Sequence, residues 1–394
     1  MANRVGSGQH VGSDAAVCGR EATRQAREAL GGAAASFGFL FASPDLPLGD
    51  ALRSARSAAG TQQIIGCTTA GEVTERGLTH GAVAVLLVVA PKSVSESATA
   101  SGLKEDPKRA AAELCRNFRA AQGRAHSKGL AFSTTVVLSD GLSGVGEELV
   151  RQILAQTQAL HQIVGGAAGD EGRFKATLVG DAERAAPDVA AALHVFGAAP
   201  WGVGIGHGLE ATTGKMAVTR AKENVVYELD GRPAFEVYKE HARKRGVTLS
   251  PSSAGEYLIA NELGVMLGDR VARARAPLSV GPDGSLTCAA GVRQGSQVAI
   301  LDGVPKNMVA AARAAAEEAK ANLQGAKPAG VLLFDCVCRG MILKNEFQQE
   351  IEAIRSVMGD VPVGGFLTYG EIANYGGSVE AWHNTTAVCV AIPE

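Results

Sequence analysis

The stretch Val363-Gly364-Gly365-Phe366-Leu367-Thr368-Tyr369-Gly370-Glu371-Ile372 has a recognisable copy near the other end of the chain, Ile64-Ile65-Gly66-Cys67-Thr68-Thr69-Ala70-Gly71-Glu72-Val73. Their common core is Gly-x-x-Thr-x-Gly-Glu followed by a β-branched residue. A weaker third version, Ile163-Val164-Gly165-Gly166-Ala167-Ala168-Gly169-Asp170, lies between them and carries Asp where the others carry Glu. In each copy an apolar, strand-like run passes into glycine and other small residues, where the backbone can turn or be approached closely, and a carboxylate follows.

Working outward, each copy closes the same succession of elements. Residues 13–30 read as a helix capped by Ser13 or Asp14 and stopped at Gly31-Gly32. A short buried strand follows at 36–42, a helix at 48–59, the first glycine copy, and an apolar strand at 81–90. The order recurs with a helix at 107–119, a strand at 130–138, a helix at 145–156, the Asp170 copy, a hairpin across 174–179 and a strand at 191–196. It recurs again with an Ala-rich helix at 305–323, a strand at 330–335, a helix at 344–358, the Glu371 copy and a closing strand at 385–392, apolar enough to be internal. Between 197 and 301 the texture changes. Gly202, Gly204, Gly206 and Gly208 alternate through a segment read as a strand approached closely on its glycine face, and 256–265, 278–280, 286–291 and 297–301 read as short strands of an antiparallel portion. The predicted fold class is α/β in the mixed α+β sense, with mixed sheets and flanking helices built from recurring strand-helix-strand-glycine-loop-strand units. Two domains are expected, 1–225 and 226–394.

The totals exclude several function classes. A formal net charge of −2 offers no basic surface for nucleic acid or an anionic membrane. Seven cysteines, an odd count without framework spacing, fit buried thiols in a reducing compartment. The N-terminus lacks a secretory h-region, and the longest apolar run, 81–91, is about half of a bilayer span, so a cytoplasmic protein without membrane insertion is expected.

No phosphate loop, dinucleotide fingerprint, Gly-x-Ser-x-Gly elbow or His-Glu-x-x-His pair is present. Cys336 and Cys338 sit two apart at a strand end and would share a face, yet no second pair is placed to complete a zinc site. No metal or cofactor is expected. The carboxylates at strand ends are the better candidates, because open α/β sheets gather ligand sites where strand C-termini, loops and helix N-termini converge. Thr68, Thr69, Glu72, Thr368, Tyr369 and Glu371 are candidates to line a polar cleft able to hold an ammonium or hydroxyl group. Asp140 and Asp170 occupy comparable strand ends, and Arg293 or Arg339 would meet a carboxylate. The bland alternative is that Glu72 and Glu371 only fix their own turns.

On these residues the chain resembles the FIST family, named for F-box and intracellular signal transduction proteins. The 365–372 stretch is similar to the family's C-terminal signature, and 165–170, Leu229-Asp230-Gly231-Arg232-Pro233-Ala234 and Arg293-Gln294-Gly295 are similar to its other marks. Phe366-Leu367 departs mildly from the aromatic pair often found there. The resemblance implies an intracellular sensory module that binds small ligands such as amino acids and passes that state to histidine kinases or chemoreceptor-type proteins. The expected function is therefore a stand-alone, non-enzymatic cytoplasmic sensor of an amino acid or related metabolite, signalling through a separate partner. The competing expectation is a hydrolase or transferase acting on a small amide or amino-acid derivative, with Glu72 or Glu371 as base or Cys67 or Cys336 as nucleophile.

Overall fold

A computed structural model describes residues 2–158, 161–374 and 381–394. Three six-stranded sheets share one strand order. The first runs Arg4–Val11, Ala82–Val89, Phe37–Ala42, Ile64–Thr68, Val179–Gly180, Ala185–Ala186; the second Val94–Ser101, Val189–Gly197, Phe132–Ser139, Gln162–Ala167, Glu371–Asn374, Trp382–His383; the third Gly202–Gly206, Ala387–Pro393, Pro328–Cys336, Val363–Thr368, Glu72–Thr74, Gly77–Thr79. In each, only the third and fourth strands are parallel.

The last two strands of every sheet come from a different unit of the chain. Glu72–Thr74 leaves the first unit to pair with Val363–Thr368, Glu371–Asn374 leaves the third to pair with Gln162–Ala167, and Val179–Gly180 leaves the second to pair with Ile64–Thr68. The exchange is cyclic. Hydrogen-bonded ladders consequently run between the two halves divided at 225/226.

The inner faces of the three sheets meet in one apolar cluster, to which Phe39, Phe41, Leu138, Val164, Phe334 and Phe366 contribute. Phe41 stacks on Phe366 with ring centroids 4.8 Å apart. A pair of helices covers each outer face: Ala15–Ala29 with Leu48–Ala59, Pro107–Leu114 with Gly146–Gln156, and Pro305–Asn322 with Phe347–Met358. The alternating glycines behave as their period suggests. Gly202, Gly204 and Gly206 face the carbonyls of Ala319, Ala315 and Ala311, which lie inside the 3.0 Å that a real Cβ keeps. Two residues of strand advance about 6.7 Å and four of helix about 6 Å, so one glycine per helical step lets the backbones touch.

Between that strand and helix Pro305–Asn322 the chain inserts a fourth, nine-stranded sheet with its own core around Phe235, Tyr238, Leu258 and Ile300. Several expected elements are corrected here. Residues 256–265 are a helix, Gly255–Ala260, followed by the strand Leu263–Leu267. The helix expected over 107–119 ends at Leu114 and a second begins at Phe118. The hairpin expected at 174–179 joins Val179–Gly180 to Ala185–Ala186. Cys336 ends a strand while Cys338 belongs to helix Val337–Leu343, so the two do not share a strand face. The strands Arg4–Val11 and Val94–Ser101 had no counterpart in the sequence reading.

Candidate functional site

The three glycine copies meet. Ladder register makes Gly66, Gly165 and Gly365 equivalent, opposite Leu40, Val137 and Leu333 of the parallel neighbour, whose carbonyls leave no room for a Cβ. Just beyond them, equivalent backbone groups close a ring between the copies, each donor four residues after its glycine and each acceptor two: Ala70 N–H donates to Leu367 O at 2.9 Å, Tyr369 N–H to Ala167 O at 3.0 Å, and Gly169 N–H to Thr68 O at 3.0 Å. Glycine is needed beside this ring because the strands approach too closely for a side chain.

The carboxylates after the ring are satisfied inside the fold. Glu72 accepts from Thr69 Oγ1 and from Ala82 N–H at 3.2 Å. Glu371 repeats the pattern with Thr368 Oγ1 and Thr386 N–H at 3.1 Å. Both are fully buried. Burial pushes Glu72 up to about 8, against the lowering effect of its Thr69 and Ala82 bonds, and pushes Glu371 well above the usual carboxylate range. Asp170 instead accepts from Phe174, Lys175 and Ala176 N–H and from the Tyr369 hydroxyl. Thr68 accepts from Leu178 N–H at 2.9 Å. These groups fix loops and do not line the large cavity of the molecule.

Arg339 is also internal. Its guanidinium contacts Asp335 at 3.0 Å and Glu350 at 2.8 Å, and donates to His207 O at 2.7 Å, all three charged side chains being fully buried. Burial, together with Glu350, raises Asp335 well above the usual range. With two carboxyls against one guanidinium, a proton retained on Asp335 balances the cluster.

A cavity of about 1160 Å³ opens between the inserted sheet and the three-sheet body. Of the expected residues it gathers Asp140, Arg293 and Tyr369. Asp140 is spent on its loop, accepting from Leu142 and Asp188 N–H and from Thr177 Oγ1. Tyr369 belongs to the backbone ring, its hydroxyl also accepting from Gly172 N–H at 2.8 Å, while its ring stacks on exposed Phe174 at 4.9 Å. Arg293 is exposed at the rim.

Two wall residues escaped the sequence reading. Arg275, 1% exposed, donates to Gly291 O at 3.0 Å and approaches Glu147 at 3.7 Å. Trp382 packs its ring over Gly146 and Gly370, leaving no space for a Cβ at either. The usable signal was the strand Arg270-Val271-Ala272-Arg273-Ala274-Arg275, whose period of two puts Arg273 and Arg275 on one face.

The thiols are poor nucleophiles. Burial pushes Cys67 and Cys336 well above the ordinary thiol range and Cys389 up to about 12, so the reactive thiolate is suppressed. Among the described residues, no group of three or more His, Cys, Asp or Glu is placed to hold a metal, and no helix is long and apolar enough to cross a membrane.

No curated protein matches the chain. The FIST N domain matches residues 36–232 and the FIST C domain matches residues 234–374. Together these span most of the sequence, including all three glycine copies and the inserted sheet, and the chain belongs to the FIST family.

Proposed function

We propose that this chain is a cytoplasmic sensory module that binds a small metabolite, such as an amino acid, in the cavity between the inserted sheet and the three-sheet body. It reports occupancy to a separate protein such as a histidine kinase or a chemoreceptor-type protein. FIST domains are associated with signal-transduction sensing, which supplies the general role. The observation that carries the specific site is the cavity of about 1160 Å³, whose walls come from both bodies: residues 140–151 and Tyr369 on one side, Arg275 and residues 289–296 on the other.

A ligand touching both walls binds best when the insert and the body hold one relative position, and it can shift populations only by that difference in affinity. Tyr369 carries the effect inward, because its backbone N–H is one of the three links joining the glycine copies. The Glu72 and Glu371 turns are, in this proposal, the rigid frame.

A thermal-shift screen of amino acids and related metabolites tests the site. A ligand at one hundred times its Kd stabilises by about 2.7 kcal/mol through mass action. Gly291→Leu should abolish the shift, since Gly291 lines the cavity, has an ordinary φ, and would carry a Cβ in ordinary contact with Glu147 Oε2 at 3.6 Å and Glu223 O at 3.7 Å. Glu371→Gln, away from the cavity, should keep it. A shift that survives Gly291→Leu and disappears in Glu371→Gln would return the site to the glycine turns.

A further inference from the structure

Where the inserted sheet meets the three-sheet body, Glu262 of the insert accepts a hydrogen bond from the Thr385 hydroxyl of the body, and both side chains are fully buried. We infer that this contact is a proton-operated latch, which holds the insert on the body while Glu262 carries a proton and lets it go when the proton leaves. The pH of the surroundings is then an input of its own, separate from any ligand in the cavity.

The carboxyl is placed by its backbone. Glu262 lies between helix Gly255–Ala260 and strand Leu263–Leu267, and its carbonyl accepts from Leu301 N–H at 2.7 Å. One side-chain oxygen accepts from Thr385, and the other has no hydrogen-bond partner among the described residues. A neutral acid tolerates such a position far better than a carboxylate served by a single neutral donor.

The groups that face it compensate a charge poorly. Arg275, on the strand paired with Leu263–Leu267, is the cation that acts on Glu262, but two of its N–H groups donate to Gly291 O and Ala274 O at 3.0 Å and a third nitrogen lies 3.7 Å from Glu147. Arg245 is nearby in the chain and bonds Asn261 and Asp302 instead. Tyr238 and Cys288 of the insert and Cys336 of the body also face the carboxyl, and burial raises all three, so they stay neutral. Burial raises Glu262 itself to about 8, against the lowering effects of Thr385 and Arg275.

The body side of the latch is under strain. Thr385 is β-branched and has φ +53°, a conformation that persists only where surrounding contacts impose it. The next residue leads inward: Thr386 N–H donates to Glu371 at 3.1 Å, and Thr386 O accepts from Cys336 N–H at 3.3 Å. Release of Glu262 therefore removes one restraint on Thr385 beside the Glu371 turn, and it moves the cavity wall formed by Arg275 and residues 289–296.

The direction follows from linkage. Once released into water the carboxyl returns to its ordinary value, so the latched state has its full advantage below 4.5 and loses it as pH rises through about 8. Inside that window each pH unit raises the equilibrium constant for release about tenfold.

Trp382 lines the cavity at this junction and Trp201 lies in a different pocket, so Trp201→Phe leaves one indole as reporter. Without ligand, its emission should shift reversibly to the red between pH 6 and 9. Glu262→Gln, neutral at every pH, should abolish the shift, whereas Glu72→Gln, whose bonds are to Thr69 and Ala82, should keep it. Hydrogen exchange of the unmodified chain, corrected for the intrinsic effect of pH, gives a reading that needs no variant to fold. Protection of residues 261–265 and 384–387 should fall over the same range while helix Ala15–Ala29 keeps its own. A shift that survives Glu262→Gln, protection lost equally in both bodies, or no change in either measurement up to pH 9 would overturn the latch. Since ligand is absent throughout, none of these results bears on the cavity as a binding site.

Discussion

The strands Phe132–Ser139 and Pro328–Cys336 hold the same place in their sheets, yet one ends at an open cavity and the other at a plug. Register makes Ser139 equivalent to Asp335 and Asp140 to Cys336. After Asp140 the chain runs through Gly141, Gly144 and Gly146 into a helix N-terminus that faces the cavity. After Cys336 it enters helix Val337–Leu343 at once, and Arg339 from that helix turns back onto Asp335 and Glu350. The difference teaches that a strand C-terminus in this fold is a potential site whose occupancy is decided by the next few residues. A glycine loop leaves the strand end open to the cavity, whereas a basic side chain supplies the counter-charge internally.

The largest effect should come from pulling the plug. Arg339→Leu leaves Asp335 and Glu350 buried without their cation, and removing one partner of a buried ion pair costs about 3–5 kcal/mol. Chemical denaturation would measure it. Because the cost lies in the stranded carboxyls, Arg339→Leu combined with Asp335→Asn and Glu350→Gln should recover much of it; no recovery would mean that Arg339 matters through its bonds to His207 O and Met308 O instead.

Next is the frame common to both ends. Gly165→Ala and Gly365→Ala each push a Cβ into a carbonyl of the parallel neighbour, Val137 O and Leu333 O, and Gly165 in addition has φ +151°. Overpacking of this kind costs about 1–3 kcal/mol, more where the backbone cannot yield. Similar losses at the two positions would support their equivalence; a loss confined to Gly365 would break it.

The buried carboxylates then give the molecule a pH signature. A carboxyl whose folded pKa is raised keeps its proton in the folded state after the unfolded chain has lost it. Stability is therefore greatest below the ordinary carboxyl value and falls as pH rises through the folded one. For Glu72 the window runs from 4.5 to about 8, with a slope of at most about 1.4 kcal/mol per pH unit. Glu371 acts in the same direction. Glu72→Gln should flatten the denaturation midpoint across that window, and an unchanged slope would show that the carboxyl is ionised in the folded protein.

How much of this was legible can be argued residue by residue. The glycine copies were readable because a missing Cβ is a local demand, and the recurring element order followed from ordinary periodicity. The cyclic exchange was not, since nothing in Gly-x-x-Thr-x-Gly-Glu says which sheet receives the strand that begins at Glu72. Arg4–Val11 looked like a small polar tail because Gly6 and Gly8 carry no hydrophobic signal, although their purpose is to admit the carbonyls of Ala26 and Ala22. Residues 256–265 carry Tyr, Leu and Ile, which suit a strand equally well, and the first five belong to the short helix Gly255–Ala260. Of the residues that line the cavity, Tyr369, Asp140 and Arg293 were singled out from strand ends and motif likeness. Arg275 and Trp382 were not, because their role depends on how the insert docks on the body, a contact between residues far apart in sequence.

The smallest effect sharpens the comparison at the open end. Tyr369→Phe removes the hydroxyl that donates to Asp170 and accepts from Gly172 N–H, but leaves the ring stacked on Phe174 and the backbone bond to Ala167 intact. Asp170 keeps its three backbone donors, so no buried charge is stranded and the loss should be about 1 kcal/mol. That contrasts with Arg339→Leu, where no backbone donor compensates Asp335. If the open end is a ligand site and the plugged end a structural one, Tyr369→Phe should alter the thermal shift produced by a cavity ligand more than it alters the melting temperature of the free protein. A Tyr369→Phe loss approaching that of Arg339→Leu, with ligand shifts unchanged, would make both strand ends structural and remove the distinction between them.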